Sequence, residues 1–446
     1  RVLSPQIVAG TMPAHPELIT RHRLKPQGTE IMNSTHDPQS YWQATAPATI
    51  LPVDLPPTAN VVVVGGGFFG AATTLFLARA GAAPILVEQA APAYGATGRN
   101  GGFHVVGTAE GYADAVARLG RETARAIMQI TLDSRALLRQ ALVEEQIACD
   151  YREPGHLTLA LGEAQYADLQ RHVAALRADG FAAELFDRQQ TQAFIRTPLS
   201  EEITGALYGP ENALLHSARL VYGLIAAAQR HGARLAMARV ERLVPHNGHV
   251  RVITNCGVVE AGAVVVTVNA WTHDLIPTLC DVITPVRGQA LAYAPIPRVF
   301  EQGIGASVTP TGEYWHQTPD GSIVIGGCRA LAPGRDVGVT ETVPTPEVIA
   351  AIEEVLPRLF PHLSGLEVTR RWAGLMAFTT DYVPVADAAP AMPGVWVAGG
   401  FCGHGMPFGM RFGQLLAEAA LSGVLPAALT PFRVTRPTLQ PRHHQQ

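Results

Sequence analysis

The run from Asn60 to Gly70, NVVVVGGGFFG, constrains this chain more than any other segment. Val61 to Val64 form an unbroken β-branched stretch of the kind buried on both faces of a parallel sheet. Gly65, Gly67 and Gly70 follow in a GxGxxG spacing, Ala71 to Gly81 reads as a helix, and Pro84 to Glu88 as the next strand. Each glycine has a physical reason. The first permits the tight turn, the second lets a pyrophosphate approach the backbone, and the third lets helix and strand pack closely. The helix N-terminus then offers unpaired N–H groups and a positive dipole end to an anion. Glu88 closes the second strand, where a carboxylate accepts hydrogen bonds from an adenosine ribose and repels a 2′-phosphate. A dinucleotide-binding βαβ unit is therefore expected, although the motif does not separate FAD from NAD.

The remaining chain is large enough to surround such a unit. Its 446 residues suggest two or three domains, and 47% hydrophobic against 16% charged residues excludes a disordered chain, a coiled coil and collagen. With 33 basic and 37 acidic side chains the net charge of -4 leaves no footprint for nucleic acid or an anionic membrane, so partners are sought in pockets. Cys149, Cys256, Cys280, Cys328 and Cys402 are scattered, without the close pairs of zinc or redox sites, which suits a reducing cytoplasm. The opening RVLSPQIVAGTMPAHPELIT lacks the apolar core of a signal peptide, and no apolar stretch is long enough to span a membrane. The histidines show no two-His-plus-acid spacing on one expected helix, and His443 and His444 lie in a tail, so no metal is expected.

Residues 1–58 show neither helical nor strand periodicity and read as an arm, with 1–31 expected to be sequence upstream of a start at Met32. Helical patterns are expected at about 113–145, 163–180, 217–231 and 407–422, and strands at 156–161, 262–268, 288–294, 322–326 and 395–398.

After Glu88 the chain passes through Ala96 to Gly102, ATGRNGG. This resembles the GASGRNGG segment of the FAD-dependent amine and amino-acid oxidases of the D-amino acid oxidase superfamily, particularly the branch similar to γ-glutamylputrescine oxidase. The resemblance runs from Ser40 onward through ACDYREPGHLTLAL (148–161), ENALLHSARLVYGL (211–224), ITPVRGQALAY (283–293), EYWHQTPDGSIVIGG (313–327) and RRWAGLMAFTTDYVPVAD (370–387). It implies that Thr97, Arg99, Asn100, Gly101 and Gly102 contact the flavin, and that backbone near Val240 meets the adenine. Glycines allow close backbone approach there, while Arg and Asn offer donors to an anionic ligand. The C-terminal VWVAGGFCGHGMPFG matches the family's strand, loop and helix over the pyrimidine end of the flavin. Gly399, Gly400, Gly403, His404, Gly405 and Met406 belong to this loop. Its N–H groups are expected to face the N1–C2=O edge, where negative charge accumulates on reduction. Relatives that link the flavin through His carry it where this chain has Arg99, and those that use Cys carry it near Leu375, Met376 and Ala377, so non-covalent FAD is expected.

The fold implied is α+β: a Rossmann-type FAD domain (59–110, 205–275 and 370–430) with an inserted mixed-sheet substrate domain (111–204 and 276–369) and a C-terminal tail (431–446). The activity implied is oxidation of an amine, such as a γ-glutamylated polyamine. A C–H next to nitrogen delivers hydride to flavin N5, water hydrolyses the imine, and O2 yields peroxide, with redox chemistry belonging to the cofactor. The alternatives are a glycine, sarcosine or D-amino acid oxidase, a dehydrogenase with another acceptor, or a non-catalytic flavin-binding subunit. Candidate substrate-side residues are His404, Tyr314, His316 and Arg287. Alternation puts Tyr314 and His316 on one strand face and Trp315 on the other. Tyr314 is read as substrate contact or core, Arg287 as substrate contact or surface ion pair, and His404 as a cation or donor beside the flavin. His316 stands where relatives often carry Arg. Asp381 reads as a turn cap and His216 as a helix start.

Overall fold

A computed structural model of the protein describes residues 38–46 and 52–440. The expectations about 1–31, Met32, His443 and His444 lie outside the described residues.

The valine run forms Thr58–Val64, the centre of an eight-stranded sheet. Gly257–Val266 and Ile85–Glu88 flank it in parallel, Arg234–Met237 and Val395–Gly399 extend it in parallel, and Val385–Ala388 closes one edge antiparallel. Val61, Val62, Val63 and Val64 are all buried, as an unbroken β-branched run requires when both faces are covered. The helix that follows this strand runs Phe68–Arg79, beginning three residues before the expected Ala71, because Gly67 takes the N-cap position and Phe68 and Phe69 turn inward. On its other side it packs against Gly409–Ser422 so tightly that a Cβ on Gly413 would lie 2.6 Å from that of Ala72.

A second eight-stranded sheet has the order Val368–Phe378, Thr284–Tyr293, Ile323–Gly326, Glu313–Gln317, Gly303–Ala306, His156–Leu161, Ile203–Gly209, Glu184–Asp187. Alternation divides its residues between two environments. Leu157, Leu159, Leu291, Ile304, Trp315 and Ile325 enter one hydrophobic cluster. His156, Gly288, Gly305 and Tyr314 face the other way and line a cavity.

Several expectations are corrected. The pattern at 113–145 is two helices, Tyr112–Leu119 and Arg121–Glu144, because Gly120 takes φ +83° and breaks the run. Residues 205 and 370, expected as domain boundaries, fall inside strands of the second sheet, since long-range pairing rather than local composition decides where each strand goes. The tail expected at 431–446 is docked as far as it is described: Phe432 and Leu439 are buried, and Arg436 forms a buried ion pair with Asp381. The arm contains a capped helix, Tyr41–Thr45, in which the Ser40 hydroxyl accepts from Gln43 N and the Gln43 side chain accepts from Ser40 N.

Candidate active site

A cavity of about 760 Å³ is lined by residues of both sheets, toward the upper end of the ~300–1,000 Å³ typical of ligand sites. Its construction begins at the glycine turn. Gly65 sits at φ +106° and its N–H donates to Val87 O at 2.9 Å, which ties the turn to the neighbouring strand. Gly70 does not line the cavity; it lets the helix lie on the turn, since a Cβ there would stand 1.9 Å from Gly65 O. Gly67 has no side chain to cap the helix it opens, and of the first-turn N–H groups Phe68 N donates to Thr97 Oγ1 at 3.1 Å. Gly65, Gly67 and Thr97 all line the cavity, leaving a helix N-terminus open to an anion.

Glu88 lines one end beside Arg239, Val240 and Glu241, the place expected for the adenosine. Burial pushes its carboxyl pKa up, opposed by the N–H groups of Ala90 and Gly66, which donate to it at 2.9 and 2.6 Å.

The ATGRNGG loop is a short 3-10 turn, Ala96–Arg99, held from outside by the N-terminal helix. Ser40 Oγ donates to Gly98 O, and Trp42 Nε1 donates to Asn100 O at 2.6 Å. Asn100 and Gly101 line the cavity, and Asn100 Oδ1 accepts from Gly102 N at 2.9 Å. Gly102 itself is turned toward Trp42, 2.6 Å from where its Cβ would be. Arg99 lines the cavity and is also tied to the second sheet. Its guanidinium donates to the carbonyls of Tyr94 at 3.1 Å and Ala373 at 2.9 Å, pinning the loop to the second sheet. A buried guanidinium must have its donors satisfied, and main-chain carbonyls stand close enough to do so.

Gly403, His404, Gly405 and Met406 line the opposite wall with Leu375, Met376 and Ala377. Gly400 does not; its φ of +72° shapes the turn and its N–H donates to Asn269 Oδ1 at 3.1 Å. His404 Nε2 is buried without a partner, and burial pulls the imidazole pKa down to about 4, opposed by backbone groups of Gly107 and Val105. It is therefore neutral rather than the cation that is one alternative, and with its N–H engaged by those backbone groups the unpartnered Nε2 is an acceptor.

Among the substrate-side candidates, Tyr314 lines the cavity, and burial raises its hydroxyl pKa to about 12. His316 shares its face but lies behind it, stacked on Trp42 at 5.8 Å and met edge-on by Phe103 at 5.1 Å, so it does not reach the cavity. Arg287 is neither a cavity residue nor a surface one: its guanidinium forms a buried two-bonded pair with Asp336, at 2.9 Å for each contact. Sequence could not show this, because the acid lies 49 residues away and the loop that brings it carries no periodic signal. Asp381 and His216 take the structural roles expected, the first accepting from Val383 N and the second from Arg219 N. Sequence reasoning missed Phe103, His156 and Thr267. Thr267 donates to Val64 O at 2.9 Å and packs against the glycine turn. His156 carried a signal only in hindsight, as the first residue of the HLTLAL alternation. Among the described residues no cluster of His, Cys, Asp and Glu could hold a metal, and no helix is long and apolar enough to cross a membrane.

These features fit FAD. A helix N-terminus opened by glycines suits its pyrophosphate, a buried acid its ribose, and an orphaned imidazole nitrogen in a glycine loop its polar ring edge. The comparisons with known proteins agree. The chain is 27% identical to γ-glutamylputrescine oxidoreductase of Escherichia coli (strain K12), covering 81% of this chain and 83% of that one. It is 26% identical to the protein named "Probable oxidoreductase OrdL" of Haemophilus influenzae over the same shares of both. The crystal structure of glycine oxidase from Geobacillus kaustophilus has the same fold, with a TM-score of 0.74 at 22% identity, covering 85% of this chain and 99% of that one. The family model described as FAD dependent oxidoreductase, DAO, matches residues 60–419, and the chain belongs to that family of FAD-dependent oxidoreductases.

Proposed function

We propose that the protein is an FAD-dependent oxidase of an amine that carries no carboxylate beside the reacting carbon. One observation carries this reading. Every cavity-lining residue contributed by the second sheet is uncharged at neutral pH, including Tyr314 and His156; the charged lining residues are Glu88, Arg99, Arg239, Glu241 and Asp274. Arg99 is bound to main-chain carbonyls. A substrate carboxylate seeks a guanidinium fork, and burying it without one is costly. An amine in its neutral form meets no such penalty. The amine end of the substrate named for the Escherichia coli relative likewise carries no carboxylate.

Bound FAD would supply a two-electron acceptor for the C–H next to nitrogen, with O2 as final acceptor giving peroxide and water converting the imine to a carbonyl compound with release of ammonia or an amine. The chain's residues position and exclude water. Phe103, Met376 and Phe401 wall the cavity with apolar surface, and Tyr314 and His404 present neutral polar groups that can hold the amine nitrogen by hydrogen bonds. We place the protein in the cytoplasm, a reading supported by cysteines that form no disulfide among the described residues.

Primary and secondary alkylamines are expected to bleach the flavin anaerobically and to release peroxide with air as sole acceptor, whereas glycine, sarcosine and D-alanine react at least tenfold more slowly. Faster turnover of the amino acids would overturn the substrate class; bleaching without peroxide would make the protein a dehydrogenase; no bleaching by any amine would end the oxidase reading. The flavin is expected to be non-covalent. Cys402 does not line the cavity, and burial lifts its thiol pKa to about 11, so no reactive thiolate stands at the ring. After acid precipitation the yellow colour should stay in the supernatant, and colour in the washed pellet would show a covalent link.

A further inference from the structure

The register of the first sheet sets one loop between two segments that already build the cavity wall. Val266 pairs in parallel with Val64 on one side and with Val397 on the other. The chain after Val266 therefore leaves the sheet beside both the glycine turn and the loop that follows Gly399. Ligands of open α/β sheets collect outside these carboxyl ends of strands. Asn269 stands in that loop and lines the cavity. Its backbone takes φ +48°, uncommon for a residue other than glycine and best tolerated by Asn and Asp, and Thr272 Oγ1 donates to its carbonyl at 2.7 Å. A conformational outlier at a ligand site calls for a functional reason.

The side chain supplies one. Gly400 N donates to Asn269 Oδ1 at 3.1 Å. A backbone N–H can only donate, so the atom that meets it is the amide oxygen, and the orientation of the carboxamide is fixed. Nδ2, with its N–H groups, is left on the other branch. It donates to no protein atom among the described residues, and unlike the orphaned nitrogens of His104 or Trp315 it is not closed in, for Asn269 is only half-buried. A donor that is accessible on a cavity wall and held from behind by a backbone bond is presented to a ligand.

The anion of the cofactor needs such a donor. FAD carries negative charge on both phosphates, and several N–H groups of the glycine turn are already engaged: Gly65 with Val87 O, Gly66 with Glu88 and Phe68 with Thr97. The guanidinium groups that line the cavity are engaged too. Arg99 holds main-chain carbonyls, and Arg239 pairs with Glu241 at 3.1 Å at the adenosine end. We propose that Asn269 Nδ2 donates to a phosphate oxygen of the FAD pyrophosphate, while Oδ1 ties the same side chain to the loop at Gly400. The assignment rests on FAD as the cofactor and is independent of the substrate class.

Asn269→Asp tests it. Aspartate has the same shape, tolerates the same backbone and keeps an oxygen for Gly400 N, now as a carboxylate that accepts more strongly. It also replaces Nδ2 with an oxygen that repels a phosphate. Asn269→Gly keeps the backbone and removes both bonds. Affinity is read as the flavin bound per protein in gel filtration equilibrated with a series of FAD concentrations, and circular dichroism checks that each variant is folded. The glycine variant is expected to bind FAD about tenfold more weakly than wild type, and the aspartate variant ~100-fold or more, because a like charge then faces the phosphate. A purely structural role for Asn269 gives the opposite order, since aspartate preserves the Gly400 bond that glycine loses. An aspartate variant that binds FAD as well as the glycine variant, or better, would overturn the assignment. Should Asn269→Asp not fold, Asn269→Gly is titrated with FAD and with riboflavin, which has no phosphate: a loss confined to FAD upholds the contact, and an equal loss or none overturns it. If the order is as expected while no amine bleaches the flavin, the oxidase reading fails and the phosphate contact stands. If amines turn over and the order is reversed, the contact fails and the oxidase reading stands.

Discussion

Gly70→Ala is expected to yield protein that is almost free of FAD. The added Cβ would lie 1.9 Å from Gly65 O, 2.8 Å from Thr267 Oγ1 and 3.1 Å from Gly65 C, and none of these atoms is the end of a flexible side chain. The turn cannot retreat, because Gly65 N is bonded to Val87 O and Thr267 Oγ1 to Val64 O, both at 2.9 Å. Nor can the helix move away freely, since Gly413 and Ala72 already bring the Gly409–Ser422 helix against its other side. The strain is therefore relieved by shifting the first helical turn, which carries the N–H groups meant for the pyrophosphate. Overpacking of this kind costs about 1–3 kcal/mol or more. Displacement of an anion site by an ångström adds to that, so a loss of ~100-fold or greater in FAD affinity is expected. Flavin absorbance relative to protein absorbance after gel filtration, followed by titration of the apoprotein with FAD, measures it. A variant that keeps stoichiometric FAD with wild-type affinity would show that Gly70 is not required at the contact.

That glycine was legible in the sequence for a simple reason. The GxGxxG turn encodes its geometry within a few residues, so strand, turn, helix and acid could be placed without knowing any distant partner. The flavin loops at Thr97–Gly101 and Gly403–Met406 were legible in the same way, through family segments that end up lining one cavity. Roles that depend on a partner arriving from elsewhere were not legible. Nothing local to Arg287 announces Asp336, which meets it from 49 residues away, and nothing near Arg99 announces the carbonyl of Ala373 that its guanidinium holds. His316 was placed on the correct strand face, yet Trp42 and Phe103 cover it, and no local pattern announces a covering ring. His156 is not legible because its strand shows hydrophobic alternation, in which the polar positions pass as spacing. Gly303 and Gly305 on the neighbouring strand make room for its ring, and that pairing exists only once the sheet is assembled.

The segment expected to be a loose tail carries the second large effect: Asp381→Asn should lower the thermal midpoint measurably while the flavin remains bound in the surviving native protein. Arg436 donates to both carboxylate oxygens of Asp381, at 2.7 and 2.8 Å, and Thr438 Oγ1 donates at 2.7 Å. The same guanidinium holds the carbonyls of Val383 at 2.6 Å and Pro384 at 3.1 Å, so one ion pair staples the C-terminal segment to the turn after Val368–Phe378. That turn in turn supports the flavin loop, for Thr379 N donates to Cys402 Sγ and Cys402 N to Ala377 O. Removing one charge leaves the other buried without its partner, which costs about 3–5 kcal/mol. At ~2.1 cal/mol/K of unfolding entropy per residue, a chain this long shifts by about 1 °C per kcal/mol, so a drop of roughly 3–5 °C is expected at fixed FAD concentration. Asp381→Leu combined with Arg436→Met should recover part of the loss, because the desolvated charges go together. The pH dependence has a definite sign. Burial alone would raise the Asp381 carboxyl pKa, but Arg436, Thr438 and the Val383 N–H outweigh it and hold the group below its usual range. A depressed folded-state pKa contributes stability that is fully present above the unfolded value of about 3.9 and is lost as pH falls through the folded value. The gap between wild type and Asp381→Asn should therefore be constant from neutral pH to about 5 and narrow only on stronger acidification. A variant whose midpoint stays within about 1 °C of wild type at neutral pH would mean that the pair does not hold the segment down.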